Sequence, residues 1–223
     1  MTFIDSHTHR INQSIDCLAI YQHLVENSSF SLDHIPPNIP FACGIHPKDA
    51  NQEKLIPIFD QIAQHPNCIA IGEAGFDKFV TPSLEQQALC FDRQLSTAIN
   101  NHKPLIIHCV RSYDILYQHL NNNKKSSIIP IILHGFRGKP ELAKQLLRKN
   151  IYLSFGPLYN VQSLRSTPLD KLLIETDDAD ISIQEVYQRI AYDLSITTYD
   201  LSTIIERNIK KIFGQNVIHH LDK

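Results

Sequence analysis

The chain has 223 residues, 43% of them hydrophobic and 20% charged, with a formal net charge of −2. That is enough apolar residue to bury a substantial core, and the balance matches ordinary globular domains rather than disordered or fibrous ones. A near-neutral chain carries no global basic field for a polyanion, so any grip on nucleic acid has to come from local cations.

Short apolar runs and longer amphipathic segments alternate along the sequence. The expected strands are Phe3–Asp5, Phe30–Leu32, Phe41–Gly44, Ile69–Gly72, Leu105–His108, Ile131–His134, Ile151–Phe155 and Leu172–Thr176. Between them, Ile15–Glu26, Glu53–Gln64, Leu84–Asn100, Tyr113–Leu120, Glu141–Arg148 and Ile183–Leu194 read as helices, and Asp200–Phe213 closes the series. In Leu84–Asn100 the apolar positions recur at three- and four-residue steps. Ser83 with Gln86 forms a capping-box pattern before it, and Pro82 suits its first turn. NNNKKSS, Asn121–Ser127, reads as a polar loop. Runs such as PLIIH and PIILH are apolar without alternation, as strands covered on both faces are. Repeated β–α order favours parallel strands with right-handed crossovers. Eight candidate strands make a closed (β/α)8 TIM barrel the best fit, in one domain spanning 1–223.

The five cysteines are scattered and form no CxxC, so buried free thiols and a reducing compartment are expected. The first residues lack a basic flank before a long apolar run, and no stretch approaches ~20 apolar residues. A cytoplasmic location, no membrane association and no obligate protein partner are therefore expected.

Several strand candidates finish in metal-ligand residue types. FIDSHTH ends in His7 and His9, AIGE in Glu73, PLIIH in His108, PIILH in His134, and LLIETD in Asp177. Each has a bland reading: His7 and His9 as polar loop residues, His108 and His134 as hydrogen-bonded strand ends, Glu73 and Asp177 as acids at helix N-termini. In a parallel barrel, however, all C-terminal strand ends share one face, where active sites are built. Six such groups on one rim without a cation would cost kilocalories each to bury. Four imidazoles and two carboxylates form a hard-to-borderline N/O set suited to Zn²⁺, Mn²⁺, Fe²⁺ or Mg²⁺. His46, in GIHPKD, falls on the same face, either touching substrate or shaping the turn before Pro47. His23, His65, His102, His119, His219 and His220 read as solvated, and His34 as loop. Lys48, Lys78, Arg111, Arg137 and Lys139 also follow strand ends. Arg111 and Arg137 rank first as phosphate contacts, because each lies three residues after a presumed ligand and Arg grips phosphate in a fork.

The ordered set FIDSHTH, GIHP, AIGEAGFDK, PLIIHC, LHGF, LLIETD and NIKKIFG resembles the TatD-related deoxyribonucleases, hydrolases of the amidohydrolase-type barrel. The motifs span Phe3 to Gly214. The resemblance implies a metallo-dependent hydrolase barrel with a pair of divalent ions. His7, His9 and Asp177 would hold one, His108 and His134 the other, and Glu73 would bridge them. It also implies that Asp177 orients the attacking water and accepts its proton. Three features depart from the family's usual pattern. ETDDADISI runs almost directly into a helix, HCVRSYD shifts Arg111, and Lys78-Phe79 stands where a tyrosine pair is usual. The expected activity is a phosphodiesterase or deoxyribonuclease acting on DNA ends, 3′–5′ exonuclease-like. The alternatives are hydrolysis of a small amide, lactone or phosphate ester on the same metals, or a metal-binding scaffold without turnover. The polymerase-and-histidinol-phosphatase class also opens on His-x-His, but the later order Glu, His, His, Asp favours the TatD-like reading.

Overall fold

The computed structural model describes residues 1–10, 17–26, 39–149 and 151–214. The expected strand at Phe30–Leu32, and His34, His219 and His220, lie outside them. Among the described residues, eight strands are hydrogen-bonded in sequence order. The chain divides into two compact units, Met1–Tyr21 with Ile132–Lys223, and Gln22–Ile131.

In the first unit, β1 (Phe3–Thr8) runs parallel to the start of β2 (Cys17–Leu24), pairing Phe3 with Cys17 and Asp5 with Ala19. β7 (Ile151–Phe155) runs parallel to β8 (Leu172–Ile174). Thr8 bridges to Asp177, which places the chain after β8 against the end of β1. β6 (Ile131–Leu133) leads into Phe136, whose N–H reaches Ser154 O at 2.9 Å. Helices α4 (Pro140–Leu147), α5 (Val161–Ser166), α6 (Ile183–Leu194) and α7 (Thr198–Phe213) complete this unit. Two buried polar side chains on the helices finish the ladder of β1 and β8. Tyr187 Oη accepts from Ile4 N at 3.2 Å and donates to Ile4 O at 3.0 Å. Asn208 Nδ2 donates to Leu172 O at 2.8 Å. Polar groups buried this deeply are tolerated because they are bonded.

In the second unit, β3 (Phe41–Gly44), β4 (Cys68–Asp77) and β5 (Leu105–Val110) are parallel neighbours. They alternate with α1 (Ile56–Ile62), α2 (Leu84–Asn100) and α3 (Tyr113–Asn122). The α2 capping box forms as expected: Ser83 Oγ accepts from Gln86 N and Gln86 Oε1 from Ser83 N. Two glutamines on the buried face of α2 hold strand ends. Gln94 bonds both N and O of Ile45, and Gln87 bonds both N and O of Asp77. A helix face that reads as merely polar at those two positions is a backbone clamp.

Three expectations require correction. Ile15–Glu26 is not helical: its described part forms β2. There Leu18, Ile20 and Gln22 are buried while Cys17, Ala19 and Tyr21 are half-buried, the period of a strand. His23 therefore lies in a strand, half-buried, rather than on a solvated helix. Asn121–Ser127 is not a plain loop, since α3 continues to Asn122 and a 3-10 turn covers Lys124–Ile128.

β4 is longer than its apolar run suggests, ten residues ending at Asp77. Gly75 makes the length possible. A Cβ there would lie 1.9 Å from His108 O, and its φ is +154°. Gly75→Ala is expected to push β5 away and destabilise the fold by about 1–3 kcal/mol, a Tm drop of roughly 2–10 °C. A thermal melt within 1 °C or so of the parent would contradict this close approach.

Candidate metal centre

In the first unit the ends of β1, β6 and β8 bring four expected ligands together. His7 lies within β1 and is 1% exposed, and His134 follows β6. Their imidazoles stack at 4.3 Å, and the His7 and His9 rings meet edge-on at 5.4 Å. Asp177 Oδ1 lies 3.7 Å from His7 Nε2 and 3.5 Å from His9 Nε2. One ligand atom from each of His7, His134 and Asp177 falls within 4.8 Å of the others.

Asp177 owes its position to its backbone. Its φ is +57°, a region that costs a non-glycine residue energy and that Asp and Asn tolerate best. Asp177 N donates to His7 O at 3.0 Å, and Asp177 O accepts from His9 N at 3.1 Å and Thr8 Oγ1 at 3.2 Å. These bonds tie the backbone of residue 177 to the His-x-His strand and hold it in that conformation.

Two further carboxylates stand behind this group. Asp5, 2% exposed, accepts from Thr176 N at 3.1 Å, Thr176 Oγ1 at 2.6 Å and His7 N at 3.3 Å. It thus holds backbone and hydroxyl groups at the ends of β1 and β8. Burial pushes its carboxyl up to about 7, against the pull of the Thr176 and His7 bonds, with nearby Glu175 adding to the rise. Glu175 is fully buried. Its Oε1 accepts from Gly135 N at 2.5 Å and lies 3.7 Å from His134 Nδ1. Burial favours its neutral form, but His134 and then His7 outweigh that and hold it below the usual carboxylate range.

In the second unit, Glu73 on β4 and His108 on β5 meet directly. Glu73 Oε1 lies 3.0 Å from His108 Nδ1, and Asp77 Oδ2 lies 3.4 Å from His108 Nε2. The His46 ring packs edge-on against His108 at 4.4 Å, and its Nδ1 accepts from Lys48 N at 3.1 Å. His46 thus shapes the turn before Pro47 and also borders the cluster. His46, Glu73 and His108 form a second group with ligand atoms within 4.8 Å. Both groups offer imidazole nitrogen and carboxylate oxygen at short range, the donor chemistry a divalent cation takes.

Of the expected phosphate contacts, Arg111 lies over the Phe79 ring at 5.7 Å and Arg137 is exposed. Lys48 is tied to Glu26 at 2.6 Å, and Lys78 lies 3.9 Å from Asp114. Sequence reasoning missed Glu175 and Asp77. A signal was present for each: Glu175 precedes Asp177 by two residues, and Glu73, Gly75 and Asp77 alternate toward one face of a single strand.

Comparison with known proteins decides the family. The family described as TatD related DNase matches residues 22–214. The chain belongs to this family. Among its relatives is YcfH of Escherichia coli, named as an uncharacterized metal-dependent hydrolase, 25% identical over 199 residues, covering 79% of this chain and 74% of the relative. A putative deoxyribonuclease TATDN1 homolog of Enterocytozoon bieneusi is 26% identical over 202 residues, covering 79% and 72%. The solved structure of YJJV, a TatD homolog from Escherichia coli, superposes with a TM-score of 0.78 at 21% identity, covering 95% of this chain and 98% of that one. The fold is accordingly the (β/α)8 TIM barrel of this family. As a TatD-family member the chain is a metal-dependent hydrolase. No helix among the described residues is long and apolar enough to cross a membrane.

Proposed function

We propose that this TatD-family hydrolase is a phosphodiesterase that removes nucleotides from DNA ends, with a pair of divalent cations. The observation that carries the reading is the pair of imidazole–carboxylate groups, His7, His134 and Asp177 in one unit and His46, Glu73 and His108 in the other. Family membership and the deoxyribonuclease name of the Enterocytozoon relative support DNA as substrate. His7, His9, His134 and Asp177 would hold a cation in the first unit, and Glu73 and His108 would hold one in the second. When bound, such cations neutralise charge on phosphoryl oxygens and make water acidic enough to lose a proton near neutral pH. Asp177 orients the attacking water and takes its proton. Asp5 and Glu175 hold the strand ends and the His134 turn that aim these ligands, the role outer carboxylates serve around metal-bound histidine. Arg111 and Arg137 bind the phosphodiester, and His46 borders it. The five cysteines, all free thiols, suit a reducing cytoplasm.

The test combines metal analysis with cleavage of end-labelled single-stranded DNA in Mg²⁺, Mn²⁺ or Zn²⁺. Protein purified without chelator is expected to hold divalent metal, and to lose cleavage on chelation and regain it on metal return. Intact DNA under every metal, with turnover of a lactone or phosphomonoester, would transfer the activity to small molecules. Metal bound without turnover of any of these substrates would leave only a scaffold.

A further inference from the structure

Phe79 is 73% exposed at the mouth of two strands. It follows β4 by one residue, Lys78, as Arg111 follows β5, and these strands are parallel neighbours. The Arg111 guanidinium lies 5.7 Å from the Phe79 ring centre, within the range of a cation–π contact. Arg111 reaches this position with a φ of +51°, a conformation costly for a non-glycine residue. The same turn is fastened to the metal-type cluster. Asp77 accepts from Phe79 N at 2.8 Å through Oδ1, while its Oδ2 faces His108 at 3.4 Å. Lys78, between Asp77 and Phe79, is exposed and donates its backbone N–H to Val110 O at 3.2 Å. An open aromatic ring, a guanidinium plane and a lysine thus stand on the two strand ends that carry Glu73 and His108.

We propose that Phe79 and Arg111 form a stacking platform for a nucleobase, the base of the nucleotide whose phosphate enters the metal centre. The inference deepens the phosphodiesterase reading and rests on it for the identity of the ligand. Every base has a π face, so an exposed aromatic ring binds nucleotides with little regard to sequence. A guanidinium plane serves the same stacking role, and its N–H edge is free to address phosphate at the same time. Lys78, whose ammonium lies 3.9 Å from Asp114, adds a point charge in the same turn.

The chain contains no tryptophan, so Phe79→Trp introduces a single indole that reports on its own contacts. Its emission is read while the chelated protein is titrated with 2′-deoxyadenosine 5′-monophosphate, and separately with 2-deoxyribose 5-phosphate. Saturable quenching by the nucleotide but not by the sugar phosphate is expected. Adding Arg111→Ala in that background is expected to weaken the midpoint about threefold or more. Emission unmoved by the nucleotide, or quenched alike by the sugar phosphate, overturns the platform. DNA cleavage by the metal-loaded parent protein separates the two readings. Base-dependent quenching without cleavage keeps the platform and removes the nuclease. Cleavage without base-dependent quenching keeps the nuclease and removes the platform.

Discussion

Asp177→Asn is expected to lower kcat for a phosphodiester by about 10²–10⁴-fold at saturating metal, the usual contribution of a positioned proton acceptor. The substitution isolates charge from structure. Asparagine accepts a φ of +57° nearly as well as aspartate, so the turn after β8 keeps its conformation. The bonds that fasten this turn to β1 use the backbone of residue 177, through its N–H to His7 and its carbonyl to His9 and Thr8. None of them involves the carboxylate. A Tm within about 2 °C of the parent is therefore expected, less than one kilocalorie of destabilisation in a chain of this size. What is lost is a negative charge 3.7 Å from His7 and 3.5 Å from His9, and with it the group that receives a proton. The measurement is kcat with metal content determined on the same sample. Unchanged kcat with full metal occupancy would remove Asp177 from the proton step.

The same turn shows how far the sequence could be read. His7, His9, His134 and Asp177 were recognisable because ligand types ended apolar runs, and a parallel α/β chain sends such ends to one side. Glu73 and His108 were recognisable for the same reason. Asp77 was hidden by the glycines around it: a run broken by Gly72 and Gly75 reads as a strand that stops, whereas Gly75 is what lets β4 continue past the His108 backbone. Glu175 was hidden inside the expected strand Leu172–Thr176, where a lone acid two residues before Asp177 gives no sign that it supports His134. Among the helices, Leu84–Asn100 and Ile183–Leu194 match their expected bounds because their periodicity runs for several turns. Val161–Ser166 is too short to show a period, and it escaped detection. Cys17–Leu24 misled for another reason. Leu18, Ala19, Ile20 and Tyr21 place apolar groups on both faces of the strand, which erases the alternation by which a strand is recognised.

The second large effect concerns stability rather than turnover. In chelated protein, Asp5→Asn is expected to abolish a loss of stability that the parent suffers between about pH 4 and pH 7. Burial raises the Asp5 carboxyl from its ordinary 3.8 to about 7. Between those values the folded chain retains a proton that the unfolded chain has released. Stability contributed by the neutral acid is therefore full below the unfolded value and lost as pH climbs through the folded one, an effect on the order of a few kcal/mol. Asparagine suits the pocket because Oδ1 receives Thr176 N and His7 N, which an amide oxygen also accepts. On the other side, an amide donor at Oδ2 requires Thr176 Oγ1 to turn its proton elsewhere, and Thr8 Oγ1 is in reach at 3.2 Å. Asp5→Leu, in contrast, leaves those buried donors without an acceptor and is expected to destabilise by about 1–3 kcal/mol or more at every pH. Urea denaturation at pH 4.5 and pH 7.5 on parent and Asp5→Asn, each in chelator, reads the difference directly, because the two proteins share every other side chain. Parallel stability curves for the two would show that Asp5 enters the fold already ionised, and that Thr176 and His7 rather than burial set its charge.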